Sequence, residues 1–310
     1  MLPKALGSLP TYIGIVRQPI NRSKKTGFVP WLRRIIMEIS EIKIFGGVGK
    51  TGQKEPVSEV TLKMGDIVSI VGPTGCGKTT LINDIELFAN RDTPSRRKVL
   101  INGQSINDEY HEPLKNPIAL ISQHTNFLSD LNVAAFLETH AKVRLGDDRE
   151  KNRAAIEETL GFANQLTGEP IDENSGMTEL SGGQTRALLI ADAVIIGNSP
   201  IILLDEIENA GIHRTKALEL LKNYRKIFVF VTHDPRIALL SDYRITMKSG
   251  AMQNLIITGN EERQVADGLK NMDDIILDFR NRIRAGECLT GKVLKDQLIK
   301  CGYLPGGLIS

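Results

Sequence analysis

From position 39 to 71, apolar residues alternate with polar ones in short bursts. Ile39, Ile42 and Ile44 sit among polar neighbours and stop at Gly46-Gly47, which predicts a strand closed by a turn. Segments 57–62 and 66–71 predict two further strands, the second running into a glycine-rich turn. Over 79–88 the apolar spacing becomes helical. The short apolar runs 99–101 and 118–121, bounded by turn residues, read as strands, whereas 131–166 is helical almost throughout and predicts a separate helical lobe. A helix over 182–193 precedes the aliphatic run 201–204, and a helix over 214–222 precedes a second run, 227–231. Such strands alternating with helices predict a mainly parallel sheet covered on both faces. After Gly250 a helical section covers roughly 265–283, and glycine and proline punctuate the sequence from Cys301 on.

Composition narrows the class. Of 310 residues, 41% are apolar and 25% charged, the balance of a globular protein with a sizeable core. A net charge of +2 is too small to imply specific nucleic-acid binding. No apolar run approaches the ~18–20 residues that a membrane-crossing helix needs, so work at a membrane would require a partner that spans it. Cys76, Cys288 and Cys301 form neither a disulfide framework nor a metal-binding pair, which fits a reducing cytoplasm. Residues 1–36 carry seven lysines and arginines and no acid. They read as a poorly ordered basic arm, or as sequence upstream of a start at Met37, in preference to a targeting peptide.

The chemistry begins at Gly72-Pro73-Thr74-Gly75-Cys76-Gly77-Lys78-Thr79, which fits G-x-x-x-x-G-K-[ST] between a predicted strand and a predicted helix. Glycines let backbone N–H groups converge on phosphate oxygens, and the helix start adds partial positive charge. Lys78 is placed to reach the β- and γ-phosphates, the Thr79 hydroxyl to ligate Mg²⁺, and Thr80 counts with the nucleotide-binding residues. A second stretch, Gly46-Gly47-Val48-Gly49-Lys50-Thr51, resembles the phosphate loop of partitioning ATPases. No apolar helix follows it, so it reads as a polar hairpin loop.

Asp205 and Glu206 end the run 201–204, where open α/β sheets place ligands. Asp205 is suited to holding Mg²⁺ through water, and Glu206 to acting as general base on an attacking water. Ser181-Gly182-Gly183 opens a helix, so its N–H groups and hydroxyl either cap that helix or bind an anion.

In this order the elements resemble the ATP-binding-cassette family over roughly 38–250. Leu180-Ser181-Gly182-Gly183-Gln184 is that family's signature sequence, and Gln123 ends a strand where the family has its Q-loop glutamine. Residues 201–206 match the Walker B strand with its following glutamate, and Val231-Thr232-His233-Asp234 matches the switch-histidine loop. The resemblance implies an α/β P-loop NTPase with a mainly parallel sheet core, an antiparallel β subdomain and a helical subdomain. It implies ATP and Mg²⁺ as ligands and Glu206, His233, Lys78 and Gln123 as catalytic residues, with Thr79, Gln123 and Asp205 around the metal. It implies that Ser181, Gly182 and Gly183 meet the γ-phosphate of ATP held by a second subunit, with a homodimer expected. Phe45 lies where the family stacks a ring on adenine, although a core phenylalanine fits as well. No redox role follows for Cys76.

One departure stands out. Where the family reads Pro-Thr-Ser-Ala-Leu-Asp, this chain reads Ile207-Glu208-Asn209-Ala210-Gly211-Ile212, so the aspartate that contacts the facing subunit is missing. The expected function is the ATPase subunit of a transporter, at the cytoplasmic face of the membrane through a membrane-spanning permease. The alternative is a soluble ATPase that remodels or activates a protein or metalloenzyme client. The expected divisions are 1–36, an ATPase domain over 37–252 with its helical subdomain at about 125–180, and a partly helical extension over 253–310.

Overall fold

The computed structural model of the chain describes residues 39–106, 115–122, 125–127, 129–206 and 214–304. Two sheets carry the fold. The smaller is antiparallel, in the order β2-β1-β4, from β1 (Glu41–Phe45), β2 (Glu59–Lys63) and β4 (Lys98–Ile101). The larger has six strands in the order β5-β6-β7-β3-β8-β9. These are β3 (Ile67–Val71), β5 (Ile118–Ile121), β6 (Ile201–Asp205), β7 (Ile227–Val231), β8 (Tyr243–Lys248) and β9 (Ala251–Ile257). All its pairings are parallel except β8 with β9.

Strand periodicity explains why the central strands read as unbroken apolar runs. Ile202, Leu204, Phe228 and Phe230 enter one core, and Ile201, Leu203, Ile227, Val229 and Val231 enter the core on the opposite face. Side chains alternate across a strand, so a sheet buried on both faces needs apolar residues at every position. The first core is closed by α2 (Val133–Leu145), α3 (Arg149–Leu166), α4 (Gly182–Val194) and α5 (Arg214–Leu221). The second is closed by α1 (Lys78–Glu86) and the antiparallel sheet.

Four elements extend the sequence expectation. Helix α6 (Pro235–Leu240), strands β8 and β9, and α8 (Gly291–Lys300) have no counterpart in it, and the helix expected over 265–283 runs longer as α7 (Asn260–Arg284). The domain boundary expected at 252 falls inside β9, the last strand of the large sheet. Gly46-Gly47 is not a turn. A Cβ on Gly47 would lie 1.9 Å from the Ser95 carbonyl oxygen, so glycine is required there by close backbone approach. The basic segment 1–36, Gln123 and the divergent stretch 207–212 lie outside the described residues.

Candidate active site

Strands β6, β7 and β3 are neighbours in the sheet, and their carboxyl ends bring the chemistry together. The phosphate loop leaves β3, Asp205 and Glu206 end β6, and Thr232-His233 leave β7. The crevice beyond the carboxyl ends of strands is where open α/β sheets bind ligands.

The loop is shaped by backbone constraints. Gly77, just before α1, is left-handed at φ 102°, and a Cβ there would stand 2.9 Å from the Gly250 Cα. Any side chain would therefore strain the turn that starts the helix. The Gly250 N–H in the β8–β9 turn donates to the Cys76 carbonyl oxygen at 2.8 Å. Cys76 is buried, whereas Pro73, Thr74, Gly75, Thr79 and Thr80 are exposed along the lip.

Lys78 is almost fully buried, at 5% exposure, yet its ammonium is satisfied. It donates to the carbonyl oxygens of Gly72 (2.9 Å) and Pro73 (3.2 Å) and lies 3.2 Å from His233 Nε2. Glu206 Oε1 lies 3.6 Å from the same nitrogen. Glu206 itself holds φ 50°, and its N–H donates to the Val231 carbonyl oxygen at 3.0 Å. A glutamate in the left-handed region is uncommon, and such strain collects at functional sites. It turns the carboxylate away from the line of β6 towards His233. Lys78, Glu206 and His233 are thus brought together.

Ser181 caps α4 in a reciprocal capping box. Its hydroxyl accepts from the Gln184 N–H at 3.3 Å, and Gln184 Oε1 accepts from the Ser181 N–H at 3.0 Å. Gln184 Nε2 also donates to the Pro170 carbonyl oxygen. Spacing serine and glutamine by three residues is what such a box needs, and it leaves the exposed Ser181-Gly182 start of the helix facing outward. Phe45 is half-buried at the end of β1, paired with Glu59 and Lys98 in the small sheet.

The stretch resembling a second phosphate loop folds as a hairpin, bridged between Val48 and Lys54, as expected. It nevertheless touches the real one. Lys50 Nζ donates to the Gly75 carbonyl oxygen at 2.7 Å, a contact no local pattern signals. Behind the hairpin lies a buried ion cluster that sequence reasoning also missed. Fully buried Arg97 binds both oxygens of Glu55 (2.6 and 3.1 Å), Asp84 (2.8 Å) and the Gly250 carbonyl oxygen (2.7 Å). Glu55 also accepts from the N–H groups of Gly47 and Met252. Burial pulls the guanidinium's pKa down, but hydrogen bonds and charge from Glu55 and Asp84 outweigh it and hold it above the ordinary value.

Among the described residues no group of three or more His, Cys, Asp or Glu side chains is arranged for a metal. A magnesium ion held by one hydroxyl, one carboxylate and phosphate oxygens needs no such group, and the Thr79 hydroxyl and Asp205 carboxylate are donors of that kind.

Comparison with known proteins gives this geometry a family. A family profile described as ABC transporter matches residues 57–209. The uncharacterized ABC transporter ATP-binding protein MJ0121 of Methanocaldococcus jannaschii is 49% identical over 82% of this chain and 96% of its own length. The chain belongs to the ABC transporter ATP-binding family. It is an ATP-hydrolysing cassette, and it is 30% identical to the spermidine/putrescine import ATP-binding protein PotA of Bacteroides fragilis, spanning 55% of that protein. The dimeric post-hydrolysis ATP-binding cassette MJ0796, bound to ADP and Pi, aligns with a TM-score of 0.54 at 26% identity, over 71% of this chain and 99% of that one. Among the described residues no helix is long and apolar enough to cross a membrane.

Proposed function

We propose that this cassette binds Mg·ATP on the loop around Lys78 and hydrolyses it in a sandwich of two subunits, as the energy-supplying subunit of a transporter. The observation that carries this is the meeting of Lys78, His233 and Glu206 at the ends of three adjacent strands. Lys78 exchanges its carbonyl contacts for β- and γ-phosphate oxygens, and the N–H groups opening α1 receive the rest of the phosphate charge. Glu206 accepts a proton from water as that water attacks the γ-phosphorus. The bond from that phosphorus to the β–γ bridging oxygen breaks, giving ADP and phosphate. His233 steadies the γ-phosphate and the attacking water by donating a ring N–H to a phosphate oxygen. Thr79, Asp205 and Gln123 would hold a magnesium ion, which would supply positive charge against the phosphates.

The α4 start, Ser181 to Gly183, closes over ATP held by the facing copy, so each site is divided between two chains. Phe45 is kept as a candidate for one side of the adenine. The relatives' names favour a transporter over a soluble client, so the partner is a membrane-spanning permease and the cassette works at the cytoplasmic face. Contact with the permease falls to the helical lobe, where Phe127 and Phe136 pack edge to face at 4.9 Å.

The test is nucleotide occlusion. Glu206→Gln should stop turnover while retaining about one ATP per chain through rapid desalting, and Ser181→Arg in that background should abolish the retention. Retention unaffected by Ser181→Arg would overturn the divided site.

A further inference from the structure

Helix α7 carries an apolar stripe that ATP chemistry does not use. Over its 25 residues, Val265, Leu269, Met272, Ile276, Phe279 and Ile283 follow at intervals of four, three, four, three and four. That is the 3.5-residue period of a coiled-coil seam. The flanks of the helix are engaged elsewhere. Glu262 pairs with Arg244, Asp273 with Arg236 and Arg263 with Asp242, and the Tyr303 hydroxyl after α8 donates to the Gly268 carbonyl oxygen. Ala266 and Ile275 are buried. Most of the stripe between them is open: Val265, Met272, Ile276 and Ile283 are 48–59% exposed, while Leu269 and Phe279 are half-buried.

We propose that this stripe joins two copies of the chain, with α7 lying antiparallel to α7 of the second copy. The spacing is the same read in either direction. A two-fold axis at position 274 therefore sets Val265 opposite Ile283, Leu269 opposite Phe279 and Met272 opposite Ile276. One patch thus complements itself, as a two-fold interface requires. Charge fixes the direction. Glu262 and Arg282 are held within the chain by Arg244 and by Asp278, which leaves Glu261 in the first turn and Arg284 in the last to face the second copy. An antiparallel partner sets acid beside base at both ends, where a parallel one sets like beside like. A lipid surface fits poorly, since Asp267, Asp273, Asp274 and Asp278 lie along a helix that an anionic bilayer would need to be basic. The seam spans roughly 27 Å at 1.5 Å per residue. It needs no nucleotide, so it is independent of the ATP sandwich and holds the two cassettes together between closures.

The full chain in EDTA without nucleotide, followed by size-exclusion chromatography with light scattering at about 20 µM, should be a dimer. The Lys78→Ala variant should be one too. Ile276→Glu/Ile283→Glu should be monomeric with an unchanged circular dichroism spectrum. In that double-variant background, Glu206→Gln should dimerise only when ATP is added, which separates this contact from the sandwich. Direction is read in a Cys288→Ser/Cys301→Ser background, which removes the two exposed thiols. A mixture of Val265→Cys and Ile283→Cys chains should cross-link between the two variants under mild oxidation, and neither variant should cross-link alone. A monomeric nucleotide-free chain, a dimer that survives the double substitution, or Val265→Cys linking to itself would each overturn the proposal. So would a monomeric chain that instead sediments with phosphatidylserine vesicles through this stripe.

Discussion

Replacing Glu55 by alanine tests whether the buried ion cluster holds the small sheet and the phosphate loop as one unit. The substitution removes both hydrogen bonds to Arg97 and leaves the N–H groups of Gly47 and Met252 without their acceptor. Arg97 keeps Asp84 and the Gly250 carbonyl oxygen, so its charge is only partly compensated. Deleting one member of a buried pair costs about 3–5 kcal/mol, chiefly through the charge left behind. In a chain of this size each kcal/mol lowers the melting temperature by about 2–4 °C. The expected fall is therefore about 6–20 °C by calorimetry. It should persist in high salt, because solvent ions do not reach a fully buried pair. A double-mutant cycle with Arg97→Ala should show coupling of about 2 kcal/mol or more. ATP binding should weaken as well, because Arg97 holds Gly250 and Gly250 holds Cys76 in the phosphate loop. A fall of less than about 3 °C, or additive single effects, would refute the reasoning.

Lys78→Ala should reduce ATP affinity at least tenfold by titration calorimetry while leaving the fold intact, because its three contacts are all made within the site. Gly77→Ala should lower both stability and ATP binding, by about 1–2 kcal/mol in unfolding free energy, since L-residues are strained at that φ. Burial lowers the pKa of Lys226 from its ordinary value to about 8, although its ammonium donates to Asn198 and to the Ser199 carbonyl oxygen. The folded state therefore sheds this proton before the unfolded state does. The stability of the wild type relative to Lys226→Met should rise as pH climbs from about 8 towards 10.5, by up to roughly 2–3 kcal/mol. A flat difference by urea denaturation across that range would contradict the assignment.

The large sheet and the phosphate loop were legible because burial on both faces and phosphate binding each impose a strong local pattern. Residues 201–204 and 227–231 read as strands from their aliphatic runs alone. The edge strand β9 did not, since Gln253 and Asn254 interrupt it and among the described residues no strand pairs with its outer side. Helix α6 is six residues long, too short to show a period, although Asp234 capping it and Pro235 at its start were available signals. The Gly46-Gly47 pair signalled glycine correctly but for the wrong reason, because the crowding comes from Ser95, far along the chain. Glu55 and Arg97 lie 42 residues apart and meet only in the folded protein. Lys50 was read correctly as no phosphate cradle, yet its contact with Gly75 depends on how two loops stack.

Helix α4 begins at Ser181 and carries Asp192 three turns on. There, inside the helical lobe, Asp192 Oδ1 lies 2.7 Å from His140 Nδ1 of α2, while Arg144 donates to the other ring nitrogen. Arg144, one turn along α2, fixes the ring from its own helix, so the single bond from His140 to Asp192 ties α2 to α4 in one orientation. A displacement of α2 is therefore passed to α4 through this bond as well as through the apolar core the two helices share.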